Sequence, residues 1–417
     1  MRIKEVKARE ILDSRGNPTI RTTITLYDGT TSSASVPSGA STGKFEAVEL
    51  RDNDKNRYGG KGVLTAISNV NNVIAPQICS TEFSQKELDS TLKAMDGSDN
   101  LKALGANAIL SISLAFARAA AKSNNIPLFE HLGNGAKLPV PMLNILNGGA
   151  HAANNLDIQE FMIMPVGFTK FSTALEASVS VYHNLGILLK QKGLASTVGD
   201  EGGFAPDLKD EREAIELIIE AIKLSGYNTE KDFKLALDMA ASEWKTDSGY
   251  FLPKKKLQLS TDELIEYVEK LTLDYPIISV EDPLGEEDYE GFKTLTQKTG
   301  DRLQIVGDDL FVTNKNRLSD GIKEGYANAI LVKVNQIGTL TDALDTIHTA
   351  KGAAYKTIIS HRSGETADTF IADLAVAINA GQIKTGAPCR SERVEKYNRL
   401  LKIEEILSPF SFYGDLF

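Results

Sequence analysis

Ile277-Ile278-Ser279-Val280-Glu281 is a short apolar run that stops on a carboxylate, and the same pattern recurs along the chain. The related runs are Phe233 to Asp238, Gln304 to Asp308, Ala329 to Lys333, Thr357 to His361 and Gln382 to Lys384. Apolar runs of this length between turn signals read as buried strands. Their last residues stand 43, 27, 25, 28 and 23 positions apart, close to the ~30-residue repeat of a parallel strand-and-helix unit. Helical stretches fill the intervals: Ser260-Thr261-Asp262-Glu263 has the form of a capping box, and Leu340, Leu344 and Ile347 follow helical spacing. From Lys137 to the end there are 281 residues, near the ~250 typical of an eight-stranded α/β (TIM-like) barrel. The rival architecture, an open doubly wound sheet, lacks the GxGxxG of a dinucleotide site.

The first 130 residues read differently. Thr19 to Leu26 is β-branched and nearly alternating, Asp28-Gly29 supplies a turn, and Ser33 to Val36 returns as a second strand. Helical patterns follow, including Ala106 to Ser123. The expected organisation is an N-terminal α+β capping domain over residues 1–130 and a C-terminal α/β barrel catalytic domain over 137–417, its sheet parallel.

Composition bounds the function. With 417 residues, 42% apolar and 24% charged, the chain has ample material for large cores, which excludes disorder, collagen and coiled coil. A net charge of −10 argues against a nucleic-acid partner and gives no attraction to anionic membranes. The stretch Met1 to Lys7 is charged throughout and lacks the apolar run of a signal peptide. The most apolar stretch, Ala106 to Ala121, is interrupted by Asn107 and Arg118, so it reads as a buried helix and not a membrane span. Cys79 and Cys389 are far apart and without CxxC spacing, which points to a reducing compartment, the cytoplasm.

In a parallel barrel the site forms at the carboxyl ends of the strands, so the residues on which the runs stop carry the information. They are Asp238, Glu281, Asp308, Lys333, His361 and Lys384. Three carboxylates aimed into one mouth repel one another and want a cation between them. An all-oxygen set, with no HxH or HExxH, favours magnesium or manganese over zinc. Each acid alone could merely cap the following helix. Lys333 beside such a cation could serve as a neutral amine base, or could form a plain ion pair with one of the acids.

Glu201 lies in Gly199-Asp200-Glu201-Gly202-Gly203, where glycines allow close backbone approach, and Glu160 lies upstream. Two glutamates in one mouth can be driven to different pKa values so that one donates a proton; alternatively Glu160 only orients Glu201. His361-Arg362-Ser363-Gly364 offers a cation fork, a hydroxyl and amides before a helix expected near Thr366, a combination suited to phosphate or carboxylate, although such an Arg can equally be an ion-pair partner. Val36 to Gly43, VPSGASTG, reads as a lid. It formally matches GxSxG, but too few residues precede it to build a hydrolase sheet, and its spacing fails as a phosphate loop. Lys190-Gln191-Lys192 reads as a solvated helix face.

Gathered together, these residues resemble the enolase family, phosphopyruvate hydratases, in its bacterial form. SGASTG, NGGxHA at Asn147 to Ala152, QEFMI, GDEGGFAP, ALDxAASE, SVEDP, GDDLFVTN, LVKVNQIGT and SHRSGET occur in the family's order over essentially the whole chain. The resemblance implies a magnesium-dependent lyase of glycolysis that reversibly dehydrates 2-phosphoglycerate to phosphoenolpyruvate, a cytoplasmic homodimer or ring of dimers. It further implies that Asp238, Glu281 and Asp308 hold a first Mg2+. A second Mg2+ arrives with substrate, with Ser41 closing over it and the substrate. Lys333 resembles the base at C2, and Glu201 with Glu160 the acid at the C3 hydroxyl. His151, His361, Arg362, Ser363 and Lys384 match substrate-lining positions, with Arg362 and Ser363 on the phosphate and Lys384 at the carboxylate end. Ala150, Ala153, Ala367 and Arg21 replace acidic residues common in the family, which touches surface charge or partner contacts and no expected catalytic role.

Two other functions compete. A racemase or cycloisomerase of the wider superfamily would use the same acids on a non-phosphorylated substrate, but GDEGGFAP and SHRSGET resemble enolase's own acid and phosphate signatures. A non-catalytic surface or RNA-processing partner would tolerate loss of Lys333 or Glu201, and both are present.

Overall fold

The structure, a computed structural model, describes residues 1–39 and 43–414. Ser41 and the centre of the expected lid lie outside the described residues. Among the described residues, no helix is long and apolar enough to cross a membrane.

The N-terminal part is a three-stranded antiparallel sheet, Ile3–Leu12, Pro18–Leu26 and Thr31–Ser35, covered by helices. Its first strand was not among the expected elements: Lys4, Glu5, Lys7 and Arg9 make the segment look like a charged terminus, while Ile3, Val6 and Ala8 are buried. The Ala106–Ser123 helix crosses the sheet and is buried along nearly all of its length. Its polar residues are satisfied locally, as where Thr22 Oγ1 meets Ser111 Oγ at 2.6 Å. Each buried Leu or Ile there contributes roughly 1.5–3 kcal/mol. The same helix ties the two parts of the chain together: Ser113 Oγ accepts from the Leu340 amide at 3.0 Å, and Arg118 forms a fork on Asp368 at 2.8 and 2.7 Å.

Eight strands close into a barrel in the order Ile277–Glu281, Gln304–Gly307, Ala329–Val332, Lys356–Ser360, Gly381–Lys384, Val140–Asn147, Glu160–Pro165 and Phe233–Asp238. The six expected runs supply six of these strands. The runs ending at Asp308, Lys333 and His361 stop being strand one residue earlier, so each of those side chains stands on the first residue beyond the sheet. The long 43-residue interval holds a small antiparallel sheet of Lys245–Thr246, Gly249–Leu252 and Leu257–Leu259. The Ser260 capping box and the Leu340–Gly352 helix are present. Lys190, Gln191 and Lys192 are exposed at a helix end.

The expectation of a uniformly parallel sheet is corrected. Glu160–Pro165 runs antiparallel to both neighbours. A parallel return needs a crossover, usually helical, whereas the link from Asn147 to Glu160 carries only a single turn at Gly149–His151. The reversal has a chemical consequence. The first residue of this strand, not its last, lies at the end where the neighbouring strands finish, and Glu160 pairs with Asp238 on one side and Asn147 on the other.

Candidate active site at the barrel mouth

The carboxyl ends of the strands deliver their side chains into one mouth. Among its lining residues, seven carboxylates (Glu160, Glu201, Asp238, Glu243, Asp282, Asp308 and Asp309) face three permanent cations, Lys333, Arg362 and Lys384. His151, His361 and Ser363 line it as well. Glu281 pairs in register with Asp238 and is only 1% exposed.

Lys384 is the hub on one side. Its Nζ donates to Asp238 Oδ2 at 2.9 Å and to both oxygens of Glu281 at 2.9 and 2.8 Å, and it stands 3.2 Å from Glu160 Oε2. Burial pushes this amine down, but the three carboxylates outweigh it and hold the amine well above its ordinary range. Glu281 moves up, from burial first and from repulsion by Asp238 second. On the other side Lys333 Nζ donates to Asp308 Oδ2. Burial works against both charges, yet the pair prevails: Asp308 is lowered and Lys333 raised. Gln336 Nε2 donates to Asp308 Oδ1 at 2.9 Å, and Thr313 Oγ1 accepts from the Lys333 amide at 2.9 Å.

The reversed strand and the glycine loop bring Glu160 and Glu201 together with His151, their ligand atoms within 4.8 Å of one another. Burial raises both carboxyls, and the Glu201 carboxylate pushes Glu160 up further. Glu160 is held well above the usual range. Glu201 falls well below it, with His361, His151 and Arg393 outweighing its burial. Gly202 explains the loop: its φ is +86°, and a Cβ there would stand 2.7 Å from the Cys389 carbonyl oxygen.

His361 is 2% exposed and is pushed down to about 4, by burial first and by Arg393 as well, so it is neutral. Arg362 is clasped by Glu46 from the N-terminal part, at 2.8 and 3.3 Å. The helix expected near Thr366 begins at Phe370, because Thr366 to Asp368 form a turn in which Asp368 accepts from the Phe370 amide at 2.9 Å. The helix N-terminus therefore does not follow Arg362-Ser363-Gly364 directly.

Sequence reasoning missed several residues of the site. Asp282 accepts from the amides of Asp308 and Asp309 at 2.9 and 2.8 Å and so fixes the turn that carries both acids. Asp282, Asp308 and Asp309 form the second group of ligand atoms within 4.8 Å, and Asp309 is raised to about 7 by burial and by Asp308. Asp238 and Glu281 belong to neither compact group; both face the Lys384 ammonium. The doubled acids in SVEDP and GDDLF were the available signal. Asn144, Glu46 and Arg393 carried none.

The donor set fits a hard divalent cation. Asp238, Glu281, Asp282 and Asp308 are buried, they offer oxygen alone, and among the lining residues the acids outnumber the permanent cations.

Residues 3–132 match the family described as "Enolase, N-terminal domain". Residues 135–415 match "Enolase, C-terminal TIM barrel domain".

Proposed function

The chain belongs to the enolase family, and from that premise we propose that this enzyme of the enolase superfamily reversibly dehydrates 2-phosphoglycerate to phosphoenolpyruvate. The observation that carries the reading is the meeting, in one mouth, of Lys333 on Asp308 with two buried carboxyls, Glu160 and Glu201, that lie close together.

Asp238, Glu281 and Asp308 would hold Mg2+, with a second ion joining alongside substrate and Ser41. The metal would supply the positive charge that makes loss of a proton beside an ionised carboxylate tolerable, worth several kcal/mol in the transition state. The chain's own groups divide the rest. Lys333 gives up its ion pair with Asp308, releases its extra proton to solvent, and as the neutral amine accepts the C2 proton at Nζ. Glu201 delivers a proton to the departing C3 hydroxyl, and Glu160 beside it is the store from which that proton is drawn. Lys384 turns from its acids to the substrate carboxylate, and Arg362 and Ser363 hold the phosphate as a fork and a hydroxyl. His151 and His361 wall the site and limit water. In the cell the reading corresponds to a cytoplasmic step of glycolysis carried out by a homodimer or a ring of dimers.

The test is the ultraviolet absorbance of the enol phosphate formed from 2-phosphoglycerate, with magnesium and with chelator. Absorbance should grow with magnesium only. No product in saturating magnesium overturns the assignment.

A further inference from the structure

Arg393 lies on the helix Ser391–Leu407, outside every motif that marks the site, and its side chain is fully buried. Its guanidinium reaches into both catalytic loops. Nη1 meets His361 Nδ1 at 2.7 Å and donates to the Arg362 carbonyl at 2.6 Å; Nη2 donates to the Ser363 carbonyl at 2.6 Å and the Asp200 carbonyl at 3.1 Å. The nearest carboxylate oxygen, on Glu392, stands 3.6 Å from Nε. The bonding partners of this buried charge are therefore carbonyl dipoles and one imidazole nitrogen. Gly386 leaves the room for it: a Cβ there would stand 3.0 Å from Arg393 Cδ and 2.8 Å from the Glu201 carbonyl oxygen.

A guanidinium has only donors to offer. His361 Nδ1 must therefore be the acceptor and carry no proton, which leaves the ring proton of neutral His361 on Nε2. That nitrogen faces Glu201 Oε2 at 3.4 Å. Asn144 Nδ2 donates to the same oxygen at 3.0 Å. Two donors thus aim at Oε2, while Oε1 is the oxygen turned to His151, 4.0 Å from its Nδ1.

We propose that Arg393 is a positioning residue that fixes His361 as its Nε2-protonated tautomer and so leaves Oε1 of Glu201 as the oxygen that exchanges the catalytic proton. The inference rests on the reading of Glu201 as the acid of the dehydration, and it adds the residue that aims that acid. Loss of the guanidinium frees His361 to place its proton on Nδ1, withdraws a donor from Oε2 and lets the carboxyl turn.

The experiment uses the full chain with 15N-labelled histidine. In the wild type, the His361 ring, assigned by its loss in His361→Gln, should show the Nε2-protonated pattern. In Arg393→Met, which keeps the aliphatic stem, and in Arg393→Lys, which keeps the charge without the fork, that pattern should shift or become mixed. General-acid assistance contributes about 10²–10⁴-fold. Dehydration by Arg393→Met should accordingly fall by about 100-fold, with exchange of the C2 proton, which needs Lys333, kept within about threefold. A purely structural role would lower both rates together, and that result overturns the proposal. A wild-type ring protonated on Nδ1 overturns it as well, even if neither variant folds. The tautomer is read without turnover: a wild type with the expected tautomer but no dehydration refutes the functional reading, and an active wild type with the wrong tautomer refutes this inference alone.

Discussion

Lys384→Met is the substitution that most directly probes how the acids of the mouth are held. The side chain is 3% exposed and its ammonium touches Asp238, Glu281 and Glu160, themselves 5%, 1% and 2% exposed. Methionine fills similar volume and removes the charge. Stripping one partner from a buried ion pair costs about 3–5 kcal/mol. The escape route gives a similar ceiling: taking up a proton at pH 7 on a glutamate of ordinary pKa, about 4.3, costs about 4 kcal/mol at 1.36 kcal/mol per unit. At about 2–4 °C of Tm per kcal/mol for a large domain, the variant should melt about 8–16 °C below the wild type in chelator. Magnesium at about 100 times its Kd stabilises a binding chain by about 2.7 kcal/mol. The variant, in which no ammonium competes for the acids, should gain more from the ion than the wild type. The assay is thermal unfolding of both proteins with chelator and with magnesium, alongside Lys44→Met, whose exposed pair with Glu287 is worth under about 1 kcal/mol. Equal melting of Lys384→Met and wild type in chelator, or equal magnesium shifts, would refute the claim that Lys384 and the cation share one set of acids.

Lys333→Ala should abolish exchange of the C2 proton while equilibrium binding of 2-phosphoglycerate persists; full exchange removes Lys333 as the base. Glu201→Gln should keep C2 exchange and lose dehydration, read by the same ultraviolet assay, and normal dehydration rejects its role as acid. His361 carries a pH dependence. Its folded pKa of about 4 lies below its unfolded value of about 6.5, so the unfolded chain binds the extra proton and stability falls as pH drops from about 6.5 toward 4. Relative to His361→Gln, the wild type should lose about 1.2 kcal/mol between pH 7 and pH 5.5 in denaturant titrations; a flat difference contradicts a buried neutral ring. Gly202→Ala puts a Cβ against the Cys389 carbonyl at positive φ and should cost about 2 kcal/mol or more, measured by denaturant midpoint, with a larger loss in dehydration than in C2 exchange.

The parts of this site that could be read in advance obey a local rule. Asp238, Glu281, Asp308, Lys333, His361 and Lys384 each stop an apolar run, so periodicity alone locates them at strand ends. The strand of Glu160 does not obey it. Phe161 to Pro165 is apolar whichever way the strand runs, and its direction is decided by the short link before it, a property of the path and not of the run. Were that strand parallel like the rest, Glu160 would sit at the far end of the barrel, away from Glu201. Arg393 escaped for a related reason. A guanidinium inside an ordinary amphipathic helix reads as a solvated charge, and only the folded path brings it to His361 and to the loop of Asp200. The strand-end acids are thus written in the pattern of the chain, whereas the meeting of Glu160 with Glu201, and of Arg393 with His361, arises from topology: one reversed strand and one long side chain entering from behind.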